Sequence, residues 1–149
     1  MSSGFLTHAI IRLLDALTPQ VLAAASGPEH QRTGRRGEED AYFYLRRLGY
    51  VMVARNYRSH RRHGEIDLIG WRKNILCFIE VKTRTTHDVK PAEAAVGPEK
   101  QRDLLYVARE HLRRLPPSCQ WRFDVLTVYY DRHSRQPQFE LFQNAFQVS

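Results

Sequence analysis

Residues 63–84 read HGEIDLIGWRKNILCFIEVKTR, and this stretch decides the fold. Two apolar runs flank a polar break at Lys73 and Asn74, the pattern of a β-hairpin. Side chains alternate across a strand, so Glu65 and Asp67 are expected on one face of the first strand, with Ile66 and Leu68 on the other. On the second strand Ile75, Cys77, Ile79 and Val81 form one apolar face, while Leu76 and Phe78 lead into Glu80 and Lys82 on the other. Faces that are both apolar for most of their length predict a central strand.

Register then decides where the charges meet. A two-residue turn at Lys73 and Asn74 puts Asp67 opposite Glu80 and Glu65 opposite Lys82. A turn one residue earlier, at Arg72 and Lys73, makes the two acids diagonal neighbours, still on one face. The intermediate register would send them to opposite faces. Acids opposed in a buried sheet repel each other. The arrangement therefore needs a shared proton, a basic neighbour or a divalent cation. Lys82 offsets one charge, and a hard cation such as Mg²⁺, with water and phosphate completing its shell, would offset the remainder. The plainer alternative is a Glu65–Lys82 surface ion pair with Asp67 and Glu80 on the rim, a common and energetically small arrangement.

A third element bears on this choice. Residues 35–48 predict a helix closed by Gly49, with a core stripe of Ala41, Leu45 and Leu48. Stepping back three positions from Ala41 reaches Glu38. Of Glu38, Glu39 and Asp40, only Glu38 is then expected to face the rest of the fold. Acids in a helix's first turn also suit its dipole, which would account for all three alike.

Around these lie a strand at YVMVARNYR (50–58), the basic loop RSHRRH (58–63) and an irregular stretch at 85–97. A second helix is expected from Pro98 to Leu115, with proline in the first turn and Pro116-Pro117 as its stop. Its buried stripe is Gln101, Leu104, Leu105, Ala108, Leu112 and Leu115. CQWRFDVLTVYY (119–130) and QFELF (138–142) supply two more strands. The order helix, three strands, helix, two strands predicts an α/β fold, a mixed sheet flanked by helices.

Ahead of this domain, Leu6, Ile10, Leu13, Leu14 and Leu17 repeat at helical spacing until Pro19, and SGPEHQRTG (26–34) reads as a linker. The expected division is an N-terminal helical arm and linker at 1–30 and a domain at 31–149. Asp15, Pro19 and Gln20 interrupt the apolar run, so no secretion signal is expected. The arm could pack on the domain, pair with a partner or lie on a membrane, with packing or partial disorder the preferred reading. As a partner, another protein or a second copy in a homodimer would serve.

The 149 residues carry 23 Lys+Arg against 16 Asp+Glu, a formal net charge of +7. That balance favours polyanionic partners, nucleic acid ahead of an anionic membrane. No apolar run approaches the roughly 18 residues of a spanning helix, so no membrane is expected. Cys77 and Cys119 are the two cysteines, without metal-type spacing, which suits a reducing cytoplasm.

Glu38, Asp67 and the Glu80-Val81-Lys82 triplet together resemble the PD-(D/E)xK nuclease superfamily. GRRGEEDAYFYLRRLGY, RNYR, GEIDLIG, FIEVKTR, PAEAAVGPEKQRDLLYVA, WRFDVLTV and NAF follow one another as in the YraN-like bacterial family, related in fold to archaeal Holliday junction resolvases. The resemblance covers about residues 35–147 and implies a restriction-endonuclease-like fold. It implies Glu38, Asp67, Glu80 and Lys82 as catalytic residues, with Mg²⁺ or Mn²⁺ held by Asp67 and Glu80 and supported by Glu38. Lys82 would orient the attacking water or stabilise charge building on the phosphate. Glu65 would hold Lys82 or reach the metal through water. Lys100 or Gln101 would touch a substrate phosphate at a helix N-terminus, which favours anions; Gln101 as an ordinary helix-start residue stands equally.

Asp124 is expected to be structural, paired with a nearby arginine. His60, His63 and His87 match no zinc spacing and read as solvated loop residues, with a phosphate contact as the second reading. Arg58, Arg61, Arg62, Arg84, Lys100 and Arg102 would contact nucleic-acid phosphates, against the alternative of a merely solvated basic surface. The function so implied is a metal-dependent DNA endonuclease acting on branched or damaged DNA. The alternative is a nucleic-acid-binding protein that keeps the fold without the chemistry.

Overall fold

The structure, a computed structural model, describes residues 29–85 and 96–147. The expected N-terminal helical stripe and His87 lie outside these residues. The chain divides at Arg35/Arg36, and the larger unit, 36–149, carries the sheet. The elements run α1 (Glu29–Arg47), β1 (Val51–Arg58), β2 (Glu65–Arg72), β3 (Ile75–Arg84), α2 (Pro98–Leu112), β4 (Gln120–Tyr129) and β5 (Gln138–Phe146).

The five strands form one sheet in sequence order. β1–β2, β2–β3 and β4–β5 pair antiparallel, and β3–β4 pair parallel. Hairpins need only short turns, whereas a parallel neighbour needs a long crossover, here the one that contains α2. β3 is the middle strand, as its doubly apolar pattern predicts. The result is the expected α/β arrangement, a mixed sheet between helices, consistent with a restriction-endonuclease-like fold.

The sheet separates two apolar layers. Leu104, Leu105, Val107 and Ala108 of α2 pack with Ile66, Ile69, Leu76, Phe78, Phe123 and Val125. Ala41 and Leu45 of α1 pack with Leu68, Cys77, Ile79, Val81, Leu126 and Val128. Phe78 lies within 5.7 Å of the Phe123 ring and 6.0 Å of the Trp121 ring, centroid to centroid. Burying a side chain of this size contributes roughly 2–3 kcal/mol.

Four expectations about the elements need correction. α1 begins at Glu29, so Glu29–Gly34 is helical where a linker was expected. Leu48 is 39% exposed and outside the core. The helix closes through Gly49 (φ 91°), with Gly49 N–H donating to Arg46 O and Tyr50 N–H to Leu45 O, and this turn sends Tyr50 inward in place of Leu48. α2 stops at Leu112 rather than Leu115, because its end tightens into i→i+3 bonds from Arg114 and Leu115. β5 runs on to Phe146, beyond the expected Phe142.

The opening hairpin adopts the register with Lys73 and Asn74 at its turn, pairing Arg72 with Ile75 through to Leu68 with Ile79. Lys73 takes a left-handed φ of 54° there. Beyond Leu68/Ile79 the β2–β3 ladder ends, and the charged residues begin.

Candidate functional site

Strand alternation breaks where β2 meets the charges. Ile69 and Ile66, three residues apart, both pack on the α2 side, as do their β1 partners Ala54 and Tyr57. Between Ala54 and Tyr57 lies Asn56, with φ 48°. Asparagine tolerates this left-handed conformation better than most residues. The expectation that Ile66 and Leu68 share a face therefore fails, because the backbone turns over at this point.

Asp67 sits at the break. Its Oδ2 accepts the Val81 N–H at 2.8 Å, so a side chain occupies the place of a ladder carbonyl. Glu80 lies on the α2 side of β3 with Leu76 and Phe78, and is only 6% exposed. The paired ladder stops one step short of it, at Leu68 and Ile79, yet Asp67 stays close enough for Glu80 to act on its carboxyl. Burial, then Glu80, then Glu38, push the Asp67 carboxyl up to about 8, against the opposing pull of the Val81 N–H and Lys100. This pocket therefore brings three carboxylates into electrostatic contact.

Glu80 is unevenly satisfied. Lys82 Nζ lies 3.2 Å and Lys100 Nζ 3.6 Å from the same oxygen, Oε1. Oε2 is buried, with no hydrogen-bond partner among the described residues. A naked buried carboxylate oxygen normally carries a penalty of about 1–3 kcal/mol or more.

Glu38 reaches the site from α1. In the amide orientation that satisfies its neighbours, Asn56 donates to Glu38 Oε2 at 3.2 Å and to Glu65 Oε1 at 2.9 Å. Gly37 makes this approach possible: a Cβ there would meet Thr83 Oγ1 at 2.0 Å. Glycine lets the helix backbone lie against β3, and Glu38 is the next residue. Asp40 is also turned toward the fold, accepting a hydrogen bond from Tyr130 Oη at 2.5 Å. This corrects the expectation that only Glu38 of the three acids would do so; Tyr130, just past β4, could not be foreseen as its donor.

The remaining predicted residues divide. Glu65 does not meet Lys82, because β2 and β3 have parted; it pairs across β1–β2 with Arg58, whose Nε lies 2.6 Å from its Oε2. Gln101 donates from Nε2 to Val96 O at 2.8 Å, tying the start of α2 to the preceding residues. Arg62 stacks over Tyr106 at 4.7 Å, and Ser59 Oγ donates to Glu110 Oε2 at 2.6 Å, so the basic loop is fastened along α2. Gly64 (φ 151°) permits the same approach, since a Cβ there would lie 2.9 Å from Val107. Arg61, Arg62, His60, His63 and Arg102 are exposed, and Arg84 is half-buried at the end of β3.

Sequence reasoning missed Asn56 as the carboxylate bridge and Lys100 as a partner of Glu80. The first has a signal, a turn-forming asparagine inside an otherwise β-prone strand. The second has none, because it depends on where the crossover helix lands.

Among the described residues, no group of three or more His, Cys, Asp or Glu side chains is placed to hold a metal ion. Also among them, no helix is long and apolar enough to cross a membrane.

Residues 37–128 match the Uncharacterised protein family UPF0102. A UPF0102 protein of Koribacter versatilis is 50% identical over 143 residues, 96% of each chain. One of Solibacter usitatus is 42% identical over 116 residues, 76% of this chain and 84% of its own. One of Chlorobium phaeobacteroides strain BS1 is 40% identical over 120 residues, 76% of this chain and 92% of its own. The matched span takes in α1 from Gly37, the parted hairpin with Asp67, Glu80 and Lys82, and Lys100; the chain belongs to the UPF0102 family.

Proposed function

We propose that this protein is a divalent-cation-dependent nuclease that hydrolyses phosphodiester bonds in nucleic acid, DNA first and branched or damaged DNA in particular. The observation that carries this reading is the half-satisfied Glu80 beside Asp67: one oxygen faces two lysines and the other, buried, has no partner among the described residues. A structural ion pair would satisfy both oxygens.

The donor set fits Mg²⁺ or Mn²⁺. Asp67 and Glu80 would hold it, with Glu38 in support, and waters and a substrate phosphate would complete the shell of such an ion. Such an ion supplies charge stabilisation on the phosphoryl oxygens and a more acidic water. The chain's own residues do the rest. The Val81 N–H fixes the Asp67 carboxylate. Lys82, half-buried beside Glu80, is set to orient the attacking water or to stabilise charge on the phosphate. Asn56 holds Glu38, and Glu65 keeps Arg58 at the rim, where Arg58, Arg61, Arg62, Arg84 and Arg102 would meet backbone phosphates without reading sequence. Both cysteines are free thiols, which suits a reducing cytoplasm.

The test is cleavage of a labelled four-way junction and a flap substrate with Mg²⁺. Wild-type protein is expected to cut, and Asp67→Asn and Glu80→Gln to fall to background while still binding DNA. Equal cutting by wild type and variants would overturn the reading. A second reading, a nucleic-acid-binding protein without chemistry, draws on the two lysines already facing Glu80. Calorimetric titration with Mn²⁺ separates the two: measurable affinity lost in Glu80→Gln counts against the second.

A further inference from the structure

Lys82 and Lys100 are unequal partners of one oxygen. Lys82 is two residues from Glu80 on the same strand and is 24% exposed. Lys100 is 42% exposed, comes from the first turn of α2, and stands off at 3.6 Å. A lysine carries a flexible four-carbon stem, and its ammonium is a compact point charge suited to phosphate. A carboxylate with a strand-fixed ammonium needs no second one, yet its other oxygen lacks a donor among the described residues. The second ammonium therefore doubles the cover on Oε1 without relieving Oε2.

We infer that Lys100 is a displaceable counter-ion of Glu80, released toward a substrate phosphate when a divalent cation takes the carboxylate. The inference rests on the nuclease reading and adds a linkage to it: cation binding and phosphate binding are coupled through one lysine. In the cation-free protein Lys100 neutralises Glu80 and is withheld from nucleic acid. With the cation in place, repulsion frees Lys100, and the N-terminus of α2, itself favourable to anions, directs it at the backbone. Lys100 acts on the bound phosphate and on Glu80; it is a positioning residue with respect to the cation. By reciprocity, nucleic acid that engages Lys100 must strengthen cation binding by the same factor.

The experiment compares wild type, Lys100→Met and Lys100→Gln, with Lys73→Met as a control that removes the same charge at the far end of the hairpin. Calorimetry with MnCl₂ alone reads the first half: loss of the competitor is expected to tighten cation binding roughly fivefold in both Lys100 variants, and the control to leave it unchanged. Binding of a short labelled DNA duplex against salt, in EDTA and in Ca²⁺, reads the second half. The Lys100 variants are expected to match wild type in EDTA. In Ca²⁺ they should lose affinity and lower the salt slope by about one. Unchanged or weakened Mn²⁺ affinity, or equal DNA-binding losses in EDTA and Ca²⁺, overturns the inference while leaving the nuclease reading intact. A wild-type protein that binds neither Mn²⁺ nor DNA overturns both.

Discussion

The sheet is irregular at two places, each beside a left-handed asparagine of an edge strand, and the two end differently. At one, Asn56 of edge strand β1 takes φ 48° and Asp67 accepts the Val81 N–H. At the other, Asn144 of edge strand β5 takes φ 50°, the β4–β5 register shifts, and Asp124 accepts the Asn144 N–H at 2.8 Å. Glu80 and Asp124 are nearly side by side, since Ile79 pairs with Asp124 and Glu80 with Val125. They point to opposite faces.

Asp124 is fully buried and fully served. Arg122 Nε reaches both its oxygens, at 2.9 and 3.2 Å, and Arg122 in turn donates to Tyr50 Oη at 3.4 Å. This is the structural pairing expected for Asp124. Burial raises its pKa, and the Asn144 N–H and Arg122 oppose the rise. Around Asp67 and Glu80 the charges are acid-rich, one oxygen is naked, and the carboxyl of Asp67 is driven far from its ordinary range. Burial of an acid alone does not distinguish function from architecture. Incomplete satisfaction is what supports the functional reading proposed for Glu80.

The largest effect expected from this contrast is on stability at the Asp124 break. Arg122→Met strands a buried carboxylate and should cost about 3–5 kcal/mol in chemical denaturation. Lys82→Met at the other break should cost much less, because Lys100 remains on the same oxygen. Equal losses would erase the distinction drawn between the two sites.

Next in size is Gly37. Replacing it with Ala drives a methyl into Thr83 and should destabilise by about 1–3 kcal/mol, pushing α1 and Glu38 away from the site and lowering cleavage. Gly34→Ala, at a position with open space around it, should be neutral or gain up to about 1 kcal/mol. If the two substitutions behave alike in thermal melts, the close approach at Thr83 does not matter.

The last contrast is read against pH. The Asp67 pKa is raised from 3.8 to about 8, so the folded protein holds a proton that the unfolded chain releases in between. The stability this provides is complete below about pH 4 and is lost as pH rises through about 8. In EDTA, Asp67→Asn should flatten this decline and melt above the wild type at pH 8.5–9, roughly one unit beyond the shifted pKa. Parallel melting profiles for the two proteins would show that Asp67 carries no such shift.

The hairpin and the central place of β3 were legible from Ile66 to Lys82, which also narrowed the register to two. The order of elements was legible along the rest of the chain, because alternation and turn residues are local properties. The convergence of Glu38 with the strand acids could be expected from helical spacing. Three things were decided only by tertiary packing. Glu65 went to Arg58 because β2 and β3 part after Leu68. Leu48 gave its place to Tyr50 because the chain closes α1 through Gly49. Lys100 came to Glu80 because α2 crosses over the sheet. Periodicity fixes which face a residue takes within its own element. Which charge it then meets depends on where another element ends, and no pattern within one segment encodes that distance.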